Sequence, residues 1–309
     1  MNYLKTSEIS KIWGIRERRI RDLLKDGRID GAIKKGNVWL IPENSTKPID
    51  LREKQIIDFI INIDKAKLDK IDKLKKELDK KRPLNLYSIK SLRESDILDW
   101  TYHSNAIEGN TLTLMETKVV LEGITIGGKS VNEHLEAINH KDAIIFLEEL
   151  IKNNKPLTLR DIKDIHKLVL KEIDNLNAGT LRINNVTIGG ATHIPPDYLK
   201  VPDDLEKMMF NYDAWKQLHP IVRAGLLHGV FVKIHPFIDG NGRTSRLIMN
   251  FEVMKAGYPP IIIKKEERFD YYKALDKGAT TKDYTDFIDM LIDLELEMLK
   301  KYLNILKND

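Results

Sequence analysis

Residues 235–246 constrain the fold most strongly, because they place a glycine-containing turn between two apolar helical stretches. They read His-Pro-Phe-Ile-Asp-Gly-Asn-Gly-Arg-Thr-Ser-Arg. Residues 222–234 before them and 247–254 after them repeat apolar side chains at helical spacing. Pro236 stops the first helix, and the second begins near Gly242. The sequence therefore predicts a loop that leads directly into a helix N-terminus.

The residue types in this loop suit a bound anion. Glycines let backbone N–H groups approach a ligand closely, and a helix N-terminus adds partial positive charge. Arg243 and Arg246 are three apart, so both reach oxyanions from the first helical turn. Asp239 is a hard oxygen ligand of the kind magnesium takes when phosphates fill most of its shell. His235 has a pKa range suited to proton abstraction near neutrality.

Three simpler interpretations of the loop fit less well. Asp-Gly-Asn-Gly is a hairpin-turn sequence, but the flanks have helical rather than alternating patterns. A calcium loop needs Glu at position twelve, and Asn250 stands there when the count starts at Asp239. His235 alone would be a structural histidine. A histidine, an acid, two glycines and two arginines in one short loop favour the anion site.

The loop resembles the signature of the Fic family, His-x-Phe-x-Asp/Glu-Gly-Asn-Gly-Arg-x-x-Arg, and matches it at every defined position. The resemblance covers residues 84–309 and implies a mainly α-helical core with a β-hairpin flap. It implies an enzyme that transfers AMP from ATP, with Mg²⁺, to a Ser, Thr or Tyr hydroxyl of a protein. It also implies the residue roles: His235 as general base, Asp239 on magnesium, Gly240, Asn241, Gly242 and Arg243 around the phosphates, Arg246 on the γ-phosphate, and Phe237 as the anchor of the loop in the core.

Two further segments complete the expected nucleotide site. Leu181 to Pro196 contains β-forming residues, two glycines and two terminal prolines, which predicts an exposed hairpin or flap. The resemblance implies that this flap, near Ile188, Gly189 and His193, aligns the target by adding a strand beside it. Tyr271 and Tyr272 match tyrosines that the family places near the nucleotide. Ala279 stands where the family often has an asparagine.

Residues 104–109, Ser-Asn-Ala-Ile-Glu-Gly, match the family's inhibitory pattern, Ser/Thr-x-x-x-Glu-Gly/Asn. Ser104 and Glu108 are four apart and therefore share a helix face. The resemblance implies that Glu108 pairs with Arg246 and puts negative charge where the γ-phosphate belongs. A solvated surface glutamate is the alternative. Some relatives use this glutamate to orient a water that removes AMP from a modified protein, so a hydrolase is a second possible activity. Family members often regulate the inhibitory glutamate by forming a homodimer, so a homodimer is also expected.

Gly123 to Ser130 satisfies the Walker A pattern letter for letter. A phosphate-binding loop of that class follows a buried parallel strand. The preceding residues, 114–122, mix charged and apolar side chains in a helical rather than a strand pattern. We therefore predict a connection between two helices.

The first 49 residues have the pattern of a separate small domain. The pattern predicts a helix from Thr6 to Trp13, capped by Thr6, and a second helix from Arg16 to Lys25, with Gly14 in the turn between them. It also predicts a hairpin over residues 32–41 with Gly36 at its tip. This arrangement resembles the winged helix-turn-helix of excisionase and MerR type. The second helix carries Arg16, Arg18, Arg19 and Arg21, for which DNA contact and protein docking are both open.

Residues 50–83 predict a charged helical spacer that ends at Pro83. Leu68, Ile71, Leu74 and Leu78 form one apolar stripe among lysines, which indicates a packed spacer or a dimerisation helix. The expected organisation is thus a domain at 1–49, a spacer at 50–83 and a Fic-type domain at 84–309.

Composition limits the remaining choices. The net charge of +4 is too small for a nucleic-acid coat over the whole surface. The absence of cysteine excludes disulfides and thiolate chemistry. No apolar run approaches the ~20 residues of a membrane span, so we expect a cytoplasmic protein. A DNA-binding regulator whose Fic fold only senses nucleotide is the non-enzyme alternative.

Overall fold

The structure is a computed structural model that describes residues 3–25, 27–29, 31–45 and 58–308. The chain separates into two units, residues 1–56 and 57–309, and each has its own apolar core. The predicted boundary at residue 49 falls outside the described residues. Over the described ranges, every helix is either too short or too polar for a membrane span.

In the N-terminal unit, two helices accompany a three-stranded antiparallel sheet with the order β1–β3–β2. Leu4 lies opposite Ile41, and Lys34 lies opposite Trp39. Ile9 from the first helix and Ile20 from the second are buried beside Ile41. The elements are β1 (Tyr3–Lys5), α1 (Thr6–Trp13), α2 (Glu17–Lys25), β2 (Ile33–Lys35) and β3 (Val38–Pro42).

The two helices and the hairpin of this unit agree with the sequence analysis, whereas strand β1 was not predicted. Three residues are too few for an alternating pattern to appear in the sequence. The N-cap of α1 is Lys5, not Thr6. The Lys5 N–H donates to the Glu8 carboxylate at 2.7 Å, so Glu8 satisfies the backbone at this helix start.

The described part of the second unit is mainly α-helical, which confirms the predicted fold class. Helices α9 and α10 lie at its centre, with Leu226, Leu227, Leu247 and Ile248 fully buried. The helices are α3 (Lys65–Lys80), α4 (Leu86–Ile107), α5 (Leu114–Leu121), α6 (Val131–Lys152), α7 (Leu159–Val169), α8 (Val201–Ala214), α9 (Pro220–Ile234), α10 (Asn241–Lys255), α11 (Arg268–Thr281) and α12 (Thr285–Ile305).

The Walker-like segment 123–130 connects helix α5 to helix α6, as predicted. Ser130 is the N-cap of α6, and its hydroxyl accepts the Glu133 N–H at 3.2 Å. The Lys129 ammonium donates to the Thr111 carbonyl at 2.7 Å. Because a helix rather than a strand precedes the segment, it is not the phosphate loop of a βα unit.

Helix α3 belongs to the second unit and packs into its core. Ile71 and Leu78 are fully buried, and Leu68 and Leu74 pack partly buried beside them. On the adjoining surface, Lys67 pairs with Asp289 of α12 at 2.8 Å. The apolar stripe is therefore covered within the chain, so it is not free to form a dimer. Residues 50–57 of the predicted spacer lie outside the described residues.

Glu295 in α12 is a buried carboxylic acid, and in the part of the chain that the structure describes neither of its oxygens has a hydrogen-bond partner. Burial, with Asp96 nearby, raises the pKa of Glu295 well above its ordinary value. The folded chain keeps this proton while the unfolded chain releases it above about pH 4.5, so stability falls with rising pH by about 1.4 kcal/mol per unit until the raised pKa is reached.

We expect Glu295→Leu to raise the melting temperature, by more at about pH 8 than at about pH 5. Thermal unfolding at both pH values measures the difference. Glu297→Leu on the same helix is the matched control, because Glu297 is exposed and pairs with Lys264 at the surface. An equal effect of the two substitutions, or a gain that does not depend on pH, would contradict the assignment of Glu295 as the destabilising acid.

Candidate functional site

The loop between α9 and α10 is folded by its own residues. His235 ends α9 in the left-handed conformation, with φ 49° and ψ 62°. The Asn241 side chain accepts the Phe237 N–H at 3.0 Å and donates to the Phe237 carbonyl at 2.9 Å. Gly240 caps α10 at φ 72°, a conformation that favours glycine. The predicted loop before a helix N-terminus is therefore present, with Phe237 buried beneath it.

Acidic and basic side chains flank the N-terminus of α10. The Asp239 carboxylate accepts the Gly240 N–H at 2.6 Å and lies 3.3 Å from the Arg243 guanidinium. Its side chain is 65% exposed, so oxygen sites remain open to solvent. Arg243 is buried and also pairs with Glu136 at 2.9 Å. No cluster of three or more metal-ligating side chains occurs among the described residues, so a cation here would take its other ligands from a bound molecule and water.

The predicted pair between Glu108 and Arg246 is present. Arg246 is 2% exposed and donates to the Glu108 carboxylate at 2.7 Å. Its guanidinium also donates to the Ser104 hydroxyl at 3.0 Å and to the Ser104 carbonyl at 2.8 Å. A Cβ at Gly242 would collide with the Glu108 carboxylate. The end of α4 therefore covers the first turn of α10, directly over the backbone that the sequence predicts for anion binding.

Tyr271 and Tyr272 have different surroundings. Tyr271 is 1% exposed; its hydroxyl lies 3.4 Å from the Arg246 guanidinium and 2.9 Å from His228 Nε2. Tyr271 is therefore buried against Arg246 and His228, and its place near the nucleotide stays a prediction. Tyr272 is 39% exposed, and its hydroxyl donates to the Ile107 carbonyl at 3.3 Å.

His166 of α7 is a site residue that the sequence analysis missed. Its ring stacks on Phe237 at 3.6 Å. Burial lowers the pKa of His166 to about 4, so the ring is neutral at physiological pH. Nδ1 accepts the Gly179 N–H at 2.9 Å, and Nε2 donates to the Asp239 carbonyl at 2.9 Å. His166 therefore holds the backbone of Asp239 in place.

His235 is neutral at physiological pH, because burial lowers its pKa to about 4. The positive charge of Arg182 acts in the same direction, and the negative charge of Glu108 opposes it. A hydrogen bond between the ring and the Val232 backbone also opposes the effect of burial. The neutral imidazole can accept a proton, as the prediction of a general base requires.

The predicted flap, Leu181 to Pro196, is a loop that folds back on itself and contains no β-strand. Ile188 and Gly189 lie at its turn, where the Ala191 N–H donates to the Ile188 carbonyl at 3.2 Å. The residues before and after this turn form the two arms of the flap. In the second arm, His193 Nε2 contacts the helix core by donating to the Lys233 carbonyl at 2.8 Å. At the base of the flap, the side-chain amide of Asn185 donates to the Asp197 carboxylate at 3.1 Å and so links the two arms.

Together the helical fold and this site define a protein with a glycine-capped helix N-terminus that a glutamate covers. Residues 156–253 match the Fic/DOC family. The solved structure of Fic-1 from C. elegans, residues 134–508, is 32% identical, with a TM-score of 0.71, over 79% of this chain and 72% of that one. The chain therefore belongs to the Fic family.

Other relatives have the same fold or a similar sequence. A Fic domain containing signaling protein from Bacteroides thetaiotaomicron is 27% identical, with a TM-score of 0.72, over 78% of this chain and 98% of that one. Proteins named protein adenylyltransferase Fic from Drosophila erecta and Drosophila melanogaster are each 36% identical over 253 residues, or 80% of this chain. This chain spans about half the length of those two curated relatives (50%).

Proposed function

We propose that the second unit transfers AMP from ATP to a hydroxyl group on a protein, and that Glu108 restrains this reaction. The observation that carries the proposal is the meeting of His235, Asp239 and Arg243 at the N-terminus of α10, with Glu108 bound to Arg246 beside it. The similarity to proteins named protein adenylyltransferase over 80% of the chain supports it.

In this mechanism, the backbone N–H groups of Asn241 and Gly242 bind the phosphates of ATP, together with Arg243. Gly240, whose own N–H is bound to the Asp239 carboxylate, forms the turn that lets the phosphates approach this backbone. Arg246 binds the γ-phosphate once Glu108 has left it. Asp239 suits a bound Mg²⁺, because its exposed carboxylate is a single hard ligand beside the phosphate site. When bound, the ion neutralises phosphate charge.

The chemical step uses His235 as the base. The neutral imidazole removes the proton of the target hydroxyl while that oxygen attacks the α-phosphorus of ATP in line. A new oxygen–phosphorus bond forms, the bond between the α-phosphorus and the bridging oxygen breaks, and pyrophosphate leaves. The flap near Ile188 and Gly189 orients the target, and Tyr272 is the tyrosine available to the base of the nucleotide.

Two separately labelled ATP samples test this reaction. Label on the α-phosphate should appear on protein after incubation of Glu108→Gly with magnesium and a cell lysate, whereas label from the γ-phosphate should not exceed that of the lysate alone. Protein labelled from the γ-phosphate above this background would identify a kinase, and the absence of added label from both samples would favour a nucleotide sensor. Cytoplasmic location and homodimer formation stay predictions.

We also propose that the N-terminal unit binds DNA. Residues 1–45 contain ten Lys and Arg against six Asp and Glu. Arg16, just before α2, and Arg18 and Arg21 on the helix are exposed, and Arg19 is half-buried. Ile20, Leu23 and Leu24 form the buried face of α2. Lys34 and Lys35 are exposed on the hairpin. A basic helix beside a basic hairpin suits phosphate contacts.

If Arg16 and Arg18 each contact one phosphate, replacing both by Ala should reduce the slope of log K against log salt by about 2. The full-length protein and a panel of genomic duplexes should be used, with fluorescence anisotropy at several salt concentrations. Replacing the exposed Lys70 and Lys73 of α3 by Ala is the control, because it removes the same charge outside the unit. No binding at low salt, or equal slopes for both pairs, would favour protein docking.

A further inference from the structure

Arg182 lies at the base of the flap and is almost fully buried, with 3% exposed. Its backbone N–H donates to the Pro236 carbonyl at 3.0 Å. Its side chain Nε donates to the His235 carbonyl at 2.8 Å. Two consecutive carbonyls of the catalytic loop are therefore held by one residue, at the end of α9 where the helix supplies no N–H donors.

The same guanidinium also holds both arms of the flap. One terminal nitrogen donates to the Asn184 carbonyl at 2.9 Å, and the other donates to the Pro196 carbonyl at 2.5 Å. Asn184 and Pro196 belong to opposite arms of the loop. Arg182 thus joins the two arms of the flap to the backbone of His235.

This burial is not explained by an ion pair. Within the described ranges, no carboxylate lies within ion-pair distance of Arg182, whose hydrogen bonds go to carbonyl oxygens. The charge of Asp197 acts on Arg182 from beyond that distance and opposes the lowering of its pKa by burial. Burying a guanidinium without an ion pair is costly, and a hydrogen-bonded cap could be supplied without a charge. His235 is also in the left-handed conformation, which is unfavourable for a residue other than glycine. The contacts of Arg182 hold it there.

We propose that Arg182 is a positioning residue that fixes the distance and orientation between His235 and the flap. The inference rests on the proposed function, in which His235 takes the proton of a hydroxyl that the flap presents. That step requires the base and the hydroxyl to be aligned, and a displacement of about 1 Å lowers the rate by about 10²-fold. The nucleotide phosphates contact α10 instead, so their binding does not depend on Arg182.

The test compares Arg182→Met and Arg182→Lys in a Glu108→Gly parent, in which the restraint is removed. We expect Arg182→Met to lower kcat for AMP transfer by about 100-fold while the Kd for magnesium-ATP stays within about threefold. Lysine keeps the charge and can reach fewer of the carbonyls, so Arg182→Lys should lose about tenfold in kcat with the same Kd. Isothermal titration measures the Kd for magnesium-ATP, and single-turnover transfer measures the rate of the AMP-transfer step.

Arg223→Met is the matched control, because Arg223 is a largely buried arginine paired with Glu252 outside the loop. It should lower the melting temperature and leave kcat at the parental value. If Arg182→Met does not fold, Arg182→Lys carries the test. Parental kcat in a folded Arg182 variant, or a loss of ATP affinity as large as the loss of kcat, would overturn the positioning role. A parent that transfers no AMP would overturn the proposed function itself, and the positioning role with it.

Discussion

Replacing His235 by alanine is expected to reduce AMP transfer by about 10²–10⁴-fold, the usual contribution of a general base. The reason is that His235 is a neutral imidazole at the entrance of the α10 turn, with a pKa lowered by burial to about 4. ATP binding should change little, because the phosphate ligands proposed here are on α10. Single-turnover transfer and titration with magnesium-ATP separate the two effects.

His219→Ala is a suitable control for this substitution. His219 caps the opposite end of α9 and contacts Asp72 at 3.2 Å, so its loss should reduce stability and leave the chemical step intact. Both variants should be assayed well below their melting temperatures. Undiminished transfer by His235→Ala would remove His235 from the mechanism.

Replacing Glu108 by glycine is expected to increase transfer to a target or to the protein itself by about 5–150-fold, the range of a typical conformational coupling. The substitution removes the carboxylate that binds Arg246 at 2.7 Å, which frees the guanidinium for the γ-phosphate. It also removes a negative charge from the position that the phosphate would take. Initial rates at matched ATP and magnesium concentrations measure the increase.

Variants at Arg246 and Glu122 show whether the faster transfer comes from loss of the pair between Glu108 and Arg246. Arg246→Ala should not rescue activity, because the same side chain serves the restraint and the phosphate, and the double variant should be no faster than Arg246→Ala. Glu122→Gly is the matched control, since Glu122 ends α5 as Glu108 ends α4, with a glycine next in each case. It should have the wild-type rate. A Glu108→Gly rate equal to wild type would show that Glu108 does not restrain the reaction.

The hydrolase alternative makes the opposite prediction for Glu108. If the carboxylate orients a water that removes AMP from a modified protein, Glu108→Gly should lose that activity on a premodified substrate. Wild-type protein and Glu108→Gly incubated with the same AMP-modified protein therefore distinguish a restraint on addition from a role in removal.

The local parts of the site could be predicted from the sequence, because their geometry is encoded within a few residues. Pro236, Gly240 and Asn241 together determine the turn before α10. The pairing of Glu108 with Arg246, 138 residues apart, followed only from the family resemblance. Spacing alone placed Ser104 and Glu108 on one helix face and gave no partner.

The supporting residues could not be predicted in the same way. His166, His228 and Arg182 each occur singly in their segments, and their roles come from hydrogen bonds to residues that the fold brings near. Arg182 bonds mainly to backbone carbonyls, which leave no trace in the side-chain pattern. The family resemblance assigned Tyr271 and Tyr272 the same role, but Tyr271 is buried and Tyr272 is exposed. Consecutive residues on a helix point in different directions, so the sequence match alone did not predict this difference.

The central claim is that this chain transfers AMP with His235 as base under the restraint of Glu108. Mass spectrometry after incubation with ATP and Mg²⁺ tests it most directly, on wild type, Glu108→Gly, and Glu108→Gly combined with His235→Ala. We predict an AMP adduct on a Ser, Thr or Tyr that is strongest in Glu108→Gly and lost from the double variant. An equal adduct in the double variant, or no adduct on any protein with Glu108→Gly in a lysate, would contradict the account.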